Sequence, residues 1–151
     1  MPQLKKVGFI INSLKDLTER AINSLNKLAH DLEHSVTVFV SKYELPSANP
    51  MFSILNHTET FSYDGILIST NLETTFLLKN CWTTRNRFYY IHKFEYDKEY
   101  KINRDIYSCP NIQYITNNTT DFENLYNIWG QGSKIIREYN YEQIRDLVKM
   151  Y

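Results

Sequence analysis

A strand–helix–strand unit at the start of the chain constrains the fold more than any other feature. Residues 7–11, "VGFII", form a continuous apolar run, the pattern of a strand covered on both faces. The next segment sets Leu17, Ala21, Ile22, Leu25, Leu28, Ala29 and Leu32 at three- and four-residue steps, which is one apolar stripe of an amphipathic helix. Ser13 or Asp16 can accept a hydrogen bond from the free amides of its first turn. Asp16 and Glu19 suit the positive end of the helix dipole. Residues 35–42, "SVTVFVSK", are a second, β-branched strand. Two strands joined by one helix imply a right-handed crossover and parallel pairing.

The alternation continues to the other end. Residues 43–62 contain Pro46 and Pro50 and read as a loop, with one helical turn or a short strand inside it. Residues 65–69 are a short buried strand, and Thr70 with Glu73 forms a capping box for a helix running to about Lys79. A fourth strand spans 86–95, and "DKEYKINRDIYSCP" is a short helix ending near Pro110. "NIQYITNN" is a fifth strand. "TTDFENLYNIWGQG" is a helix opened by Thr119 or Thr120 and closed by Gly130. "SKIIRE" is a last strand, and the final helix "NYEQIRDLVKMY" has Asn140 and Gln143 placed as a capping box. Strands and helices in this rhythm predict an α/β fold, with a doubly wound, mostly parallel, Rossmann-like sheet in three layers. The length of 151 residues fits a single domain over 1–151.

Composition narrows the function classes. Lys and Arg number 17, as do Asp and Glu, so no net field steers the chain toward nucleic acid or an anionic membrane. No run approaches the roughly 18 apolar residues needed to span a bilayer, and "MPQLKKVGFIINS" lacks a cleavage site for export. Cys81 and Cys109 have no CxxC spacing, which points to reduced thiols and a cytoplasmic location. The Asn-x-Thr triplets at Asn56, Asn117 and Asn118 bear on function only in a secretory lumen.

In an open parallel sheet, ligands collect at the carboxyl ends of the strands, where the strand order reverses. That rim is predicted to carry Asn12, Ser13, Thr70, Asn71, Asn117 and Asn118, whose amides and hydroxyls suit sugar hydroxyls and nucleobase edges. Helix amino ends at Ser13, Thr70 and Thr119 could receive a phosphate, although helix caps call for the same residue types. His92, beside Lys93 and Glu95 at a strand end, is the best acid–base candidate. The first strand–helix corner, "NSLKD", has no glycine, so neither a GxGxxG dinucleotide loop nor a P-loop is present and no cofactor is expected. His30 and His34 stand four apart, but without HExxH or a convergent carboxylate no metal is expected. Cys81 reads as a buried thiol, and Asp64 lies at the opposite rim. Residues 79–93 interleave Arg85, Arg87 and Lys93 with Trp82, Phe88, Tyr89 and Tyr90, a pattern that fits either single-stranded nucleic acid or an ordinary core strand.

The order of segments resembles one Rossmann-like half of a GT-B glycosyltransferase. The chain is similar, more narrowly, to the short glycosyltransferase-like proteins of T4-type tailed bacteriophages. The resemblance is carried by the first strand–helix, then "YDGILISTNLETTFLLKN", "RFYYIHKFEY", "IQYITNNTTDFENLYNIWG" and "KIIREYNYEQI". It implies binding of a nucleotide-sugar or a sugar-bearing acceptor at the carboxyl rim, with Asn12, Ser13, Thr70, Asn71, His92 and Asn117 at matching positions. If the chain is active, it implies His92 or Glu95 as the base in sugar transfer. The chain departs from the family in having room for one Rossmann-like domain where GT-B enzymes use two, and it has no DxD motif. A homodimer, a partner chain or a non-catalytic binding role, the last using exposed tyrosines and Trp129, would each accommodate that departure.

Overall fold

The computed structural model describes residues 3–31, 33–84, 86–93 and 100–151. Its strands are β1 (Lys5–Ile10), β2 (His34–Val40), β3 (Ser53–Asn56), β4 (Ile66–Ser69), β5 (Arg87–Ile91), β6 (Gln113–Thr116) and β7 (Ser133–Ile135). They form one seven-stranded sheet in the order β3-β2-β1-β4-β5-β6-β7, with every pairing parallel. Helices α1 (Glu19–His30) and α5 (Tyr141–Lys149) cover one face. Helices α2 (Leu72–Lys79), α3 (Tyr100–Tyr107) and α4 (Thr119–Trp129) cover the other. This is the three-layer, Rossmann-like α/β arrangement that the alternating pattern predicts. Among the described residues, no helix is long and apolar enough to cross a membrane.

The period-two alternation of strand side chains sorts the core into two layers. Val7, Phe9, Val36, Val38, Ile68, Phe88 and Tyr90 face α1 and α5. Ile10, Phe39, Leu67, Tyr89, Ile91 and Tyr114 face α2, α3 and α4. Tyrosine is a core residue here: Tyr89, Tyr90, Tyr107, Tyr114 and Tyr139 are all buried. Gly65 is required where β4 starts beside β1, because a Cβ there would sit 2.5 Å from the Lys6 carbonyl oxygen.

Several local expectations are corrected. The segment read as a loop with one helical turn or a short strand holds both, the edge strand β3 and a 3-10 helix, His57–Ser62, which brings the sheet to seven strands. Ser13 does not open α1. It caps a 3-10 turn, Leu14–Asp16, and Asp16 Oδ2 accepts from Ser13 N in return at 3.2 Å. Burial of both Leu14 and Leu17 holds the chain in that dip, and α1 starts afterwards with Thr18 Oγ1 accepting from Ala21 N at 3.1 Å. Asn71, not Thr70, caps α2, and its box partner is Thr74 rather than Glu73. Asn118, not Thr119 or Thr120, caps α4, while Gly130 closes that helix in the left-handed region at φ +69°. Asn140 caps α5, but Gln143 Oε1 accepts from Arg137 N instead of completing a box. The fourth expected strand is shorter, ending at Ile91.

Candidate functional site

The strand order fixes where a crevice must open. From β1 the chain crosses over one face through α1, and from β4 it crosses over the other face through α2. The carboxyl ends of the adjacent β1 and β4 are therefore left uncovered between diverging helices. A cleft of about 730 Å³ lies there. Ile11, Leu17 and Ala21 make its apolar wall, and Asn12, Thr70, Asn71, His92 and Asn117 supply polar groups. Asp16, Thr18, Arg20, Glu138 and Tyr139 complete the lining. Five of the rim residues expected from the sequence thus converge on one cavity. Ser13 is not in its lining, being a buried cap, and Asn118 borders an adjoining cleft instead. Glu95 and Arg85 lie outside the described residues.

Most of these polar groups also have structural partners. Thr70 Oγ1 donates to the Ile10 carbonyl at 2.8 Å, tying the ends of β1 and β4 together. Asn71 Oδ1 accepts from Thr74 N at 2.7 Å, and Asn118 Oδ1 accepts from Asp121 N at 2.8 Å. Asn12 Nδ2 donates to Glu73 Oε2 at 3.2 Å, and its carbonyl accepts from Ser41 N and Lys42 N. Asn117 Oδ1 accepts from Glu138 N at 2.7 Å.

That last bond belongs to a turn the sequence does not announce. Glu138 (φ +46°) and Tyr139 (φ +57°) are consecutive non-glycine residues in the left-handed region, a conformation costing on the order of 1 kcal/mol or more for each. Three groups hold them there: Asn117 Oδ1 on Glu138 N, Tyr90 Oη on Tyr139 N at 3.1 Å, and Gln143 Oε1 on Arg137 N. The turn drives the Tyr139 ring into the base of the cleft. There it meets Tyr90 (centroids 5.1 Å) and His92 (5.0 Å), while His92 stacks on Tyr90 at 4.2 Å. His92 Nε2 and Tyr139 Oη share a hydrogen bond of 3.1 Å. Burial lowers the His92 pKa to about 4, so the imidazole is neutral at pH 7. Burial also pushes the Tyr139 hydroxyl far up, so it stays protonated. Neither the left-handed pair nor Tyr139's approach to His92 leaves a signal in the sequence, since the residues concerned are unremarkable types far apart in the chain.

The second cleft, also about 730 Å³, adjoins the first and shares Arg20, Asn117 and Glu138 with it. It is bordered by Arg137 and by Thr119 and Thr120, whose amides at the start of α4 are not taken up by the Asn118 cap. Arg20 and Glu138 form an exposed ion pair of 2.8 Å at the junction of the two clefts.

The basic–aromatic segment is not a stacking platform. Phe88, Tyr89 and Tyr90 are buried in the two core layers, leaving Trp82 as its exposed aromatic. Trp129 is half-buried, its ring stacked on Tyr107 with centroids 5.5 Å apart. Asp64 sits at the amino rim, paired with Lys6 at 2.9 Å. Comparisons with models of known protein families, with curated proteins and with solved structures find no match to this chain, so what the clefts bind is read from their own residues.

Proposed function

We propose that the paired clefts bind a nucleotide-sugar, and that the chain is a glycosyltransferase-like protein supplying one Rossmann-like half of such a site. The observation that carries this reading is the division of labour between two cavities sharing Arg20, Asn117 and Glu138. One presents amides, carboxylates and an aromatic base, which match the hydroxyls and ring of a sugar or nucleoside. The other brings Arg137, Arg20 and the amino end of an eleven-residue helix to one place, which matches phosphate. Each cavity falls within the roughly 300–1,000 Å³ usual for small-ligand sites.

In this reading His92 is a neutral hydrogen-bonding group. A base with a pKa near 4 is poorly matched to removing a hydroxyl proton at pH 7. Transfer would therefore call on Glu95 or on a residue of a second half contributed by another copy or a partner. Calorimetric titration with UDP- and GDP-sugars tests the binding step. Heat is expected from at least one of them, and Arg137→Ala is expected to weaken it by about tenfold, the scale of one charge-assisted hydrogen bond. An absence of heat from every nucleotide-sugar, at high protein concentration, removes donor binding. One observation favours a non-catalytic partner-binding role instead: Trp82 is 81% exposed, close to the exposed Phe61, whose carbonyl accepts from Thr83 Oγ1. Light scattering that shows a strict monomer at all concentrations would count against a homodimer through that surface.

A further inference from the structure

At the amino rim of the sheet, opposite the clefts, α1 passes into β2 through a tight turn that gathers Asp31, Glu33 and His34. Their ligand atoms all lie within 4.8 Å of one another. The turn is well braced. Asp31 Oδ1 accepts from Glu33 N at 3.0 Å, His34 N donates to the Asp31 carbonyl at 3.2 Å, and Lys5 N donates to the Glu33 carbonyl at 3.0 Å. In the sequence His30 and His34 stand four apart, a helical spacing on which no metal is expected. The structure separates them, since α1 ends at the exposed His30 and His34 is the first residue of β2.

His34 is 3% exposed, and its Nδ1 is buried without a hydrogen-bond partner. A buried imidazole nitrogen left in that state is costly. It faces Asp31 Oδ2 at 3.5 Å. Hydrogen bonds of this kind close to about 2.7–3.2 Å. Two ligands on one tetrahedral zinc, at about 2.05 Å for nitrogen and 2.1 Å for oxygen, stand roughly 3.4 Å apart. The observed gap is that of neighbouring ligands.

We propose that Asp31, Glu33 and His34 bind a single divalent transition metal, zinc in the first place. His34 Nδ1 and Asp31 Oδ2 are the fixed ligands. Glu33, on the exposed side, closes over the ion as the third and leaves the approach from solvent open. A buried imidazole nitrogen favours zinc or cobalt over magnesium or calcium, which prefer oxygen alone. Tyr141 Oη donates to Asp31 Oδ2 at 3.2 Å and so orients the ligating carboxylate from α5. The ion would staple α1, β2 and α5 together, away from the clefts.

The test is titration of chelator-stripped protein with zinc and with cobalt, reading heat, melting temperature and the visible absorption of bound cobalt. One ion per chain is expected, with a rise in Tm that a chelator reverses. Glu33→Gln should weaken binding by about tenfold or more, the scale of losing part of a ligand shell, without altering the metal-free Tm. Asp31→Asn should weaken it as well. No metal-dependent heat or Tm shift overturns the proposal, as does binding of undiminished affinity in both Glu33→Gln and Asp31→Asn.

Discussion

Replacing Tyr90 by Phe removes one oxygen atom and breaks two buried hydrogen bonds. Tyr90 Oη donates to the Ile136 carbonyl at 2.5 Å and accepts from Tyr139 N at 3.1 Å. Tyr90 is fully buried and Ile136 is 2% exposed, so water does not reach the carbonyl that is left behind. An unsatisfied buried group costs about 1–3 kcal/mol, which puts the loss of two at about 2–6 kcal/mol. Part of that returns, because the left-handed pair Glu138–Tyr139 can relax once its clamp opens, and such residues store on the order of 1–2 kcal/mol each. The ring remains, so no large cavity forms. The net expectation is about 2–4 kcal/mol, or a fall in Tm of roughly 5–15 °C for a chain of this size. Urea unfolding followed by circular dichroism measures it, with the slope unchanged. Tyr114→Phe is the internal control: Tyr114 Oη makes one buried bond, to the Ile106 carbonyl at 2.7 Å, and should cost about half as much. A Tyr90→Phe loss no larger than the about 1 kcal/mol of one average hydrogen bond would refute the clamp.

Two further predictions concern the cleft base and the sheet. The His92 pKa is about 4 in the fold against 6.5 for the unperturbed group, so between these values the unfolded chain binds the extra proton. The stability His92 contributes is thus present above pH 6.5 and lost as pH falls toward 4. From pH 7 to pH 5 the loss should be about 2 kcal/mol, and His92→Gln should remove that part of the pH dependence in paired urea titrations. Gly65→Ala places a Cβ 2.5 Å from the Lys6 backbone oxygen and should cost about 1–3 kcal/mol by forcing β1 and β4 apart. An unchanged melting temperature would show that this junction yields more easily than its geometry indicates.

What the sequence disclosed and what it hid follow from the range of the interactions involved. The run Val7–Ile11, the Leu17–Leu28 stripe and the second strand are local patterns with one periodic solution, and they place β1, α1 and β2 within a few residues. β3 has no such pattern. Ser53–Asn56 is an exposed edge strand that exists because β2 offers it a hydrogen-bonding edge, from Thr37 to Val40. Asn140 and Gly130 cap where the sequence places them, but the amino-end caps of α1, α2 and α4 were recognisable by type and not by position. Thr70 and Asn71 are both competent, and the choice is made by tertiary contacts: Thr70 Oγ1 is drawn to the Ile10 carbonyl, leaving Asn71 to cap α2. The carboxyl-rim rule located His92 and Asn117 because it depends on topology alone. Tyr139 was missed because its partners, Tyr90 and His92, lie 49 and 47 residues away in the chain.

Capping and recognition need not compete for the same residues. An asparagine that caps a helix or clamps a turn does so through Oδ1, the acceptor, and its geometry then leaves the Nδ2 hydrogens pointing elsewhere. Asn71 Oδ1 is held by Thr74 N and Asn117 Oδ1 by Glu138 N, so neither bond uses the Nδ2 donors of these two cleft-lining residues. Asn12 is turned the other way. Its Nδ2 is engaged by Glu73, which leaves Oδ1 as an acceptor, alongside the carboxylates of Asp16 and Glu138. The structural bonds therefore polarise the rim into donors and acceptors, each fixed in direction before any ligand arrives. On the proposed nucleotide-sugar reading, a mixed rim of this kind would suit a sugar, whose every hydroxyl both gives and takes a hydrogen bond. A bare anion would find its donors beside carboxylates in the first cleft, and the second cleft, with Arg137 and the start of α4, is the better place for its charge.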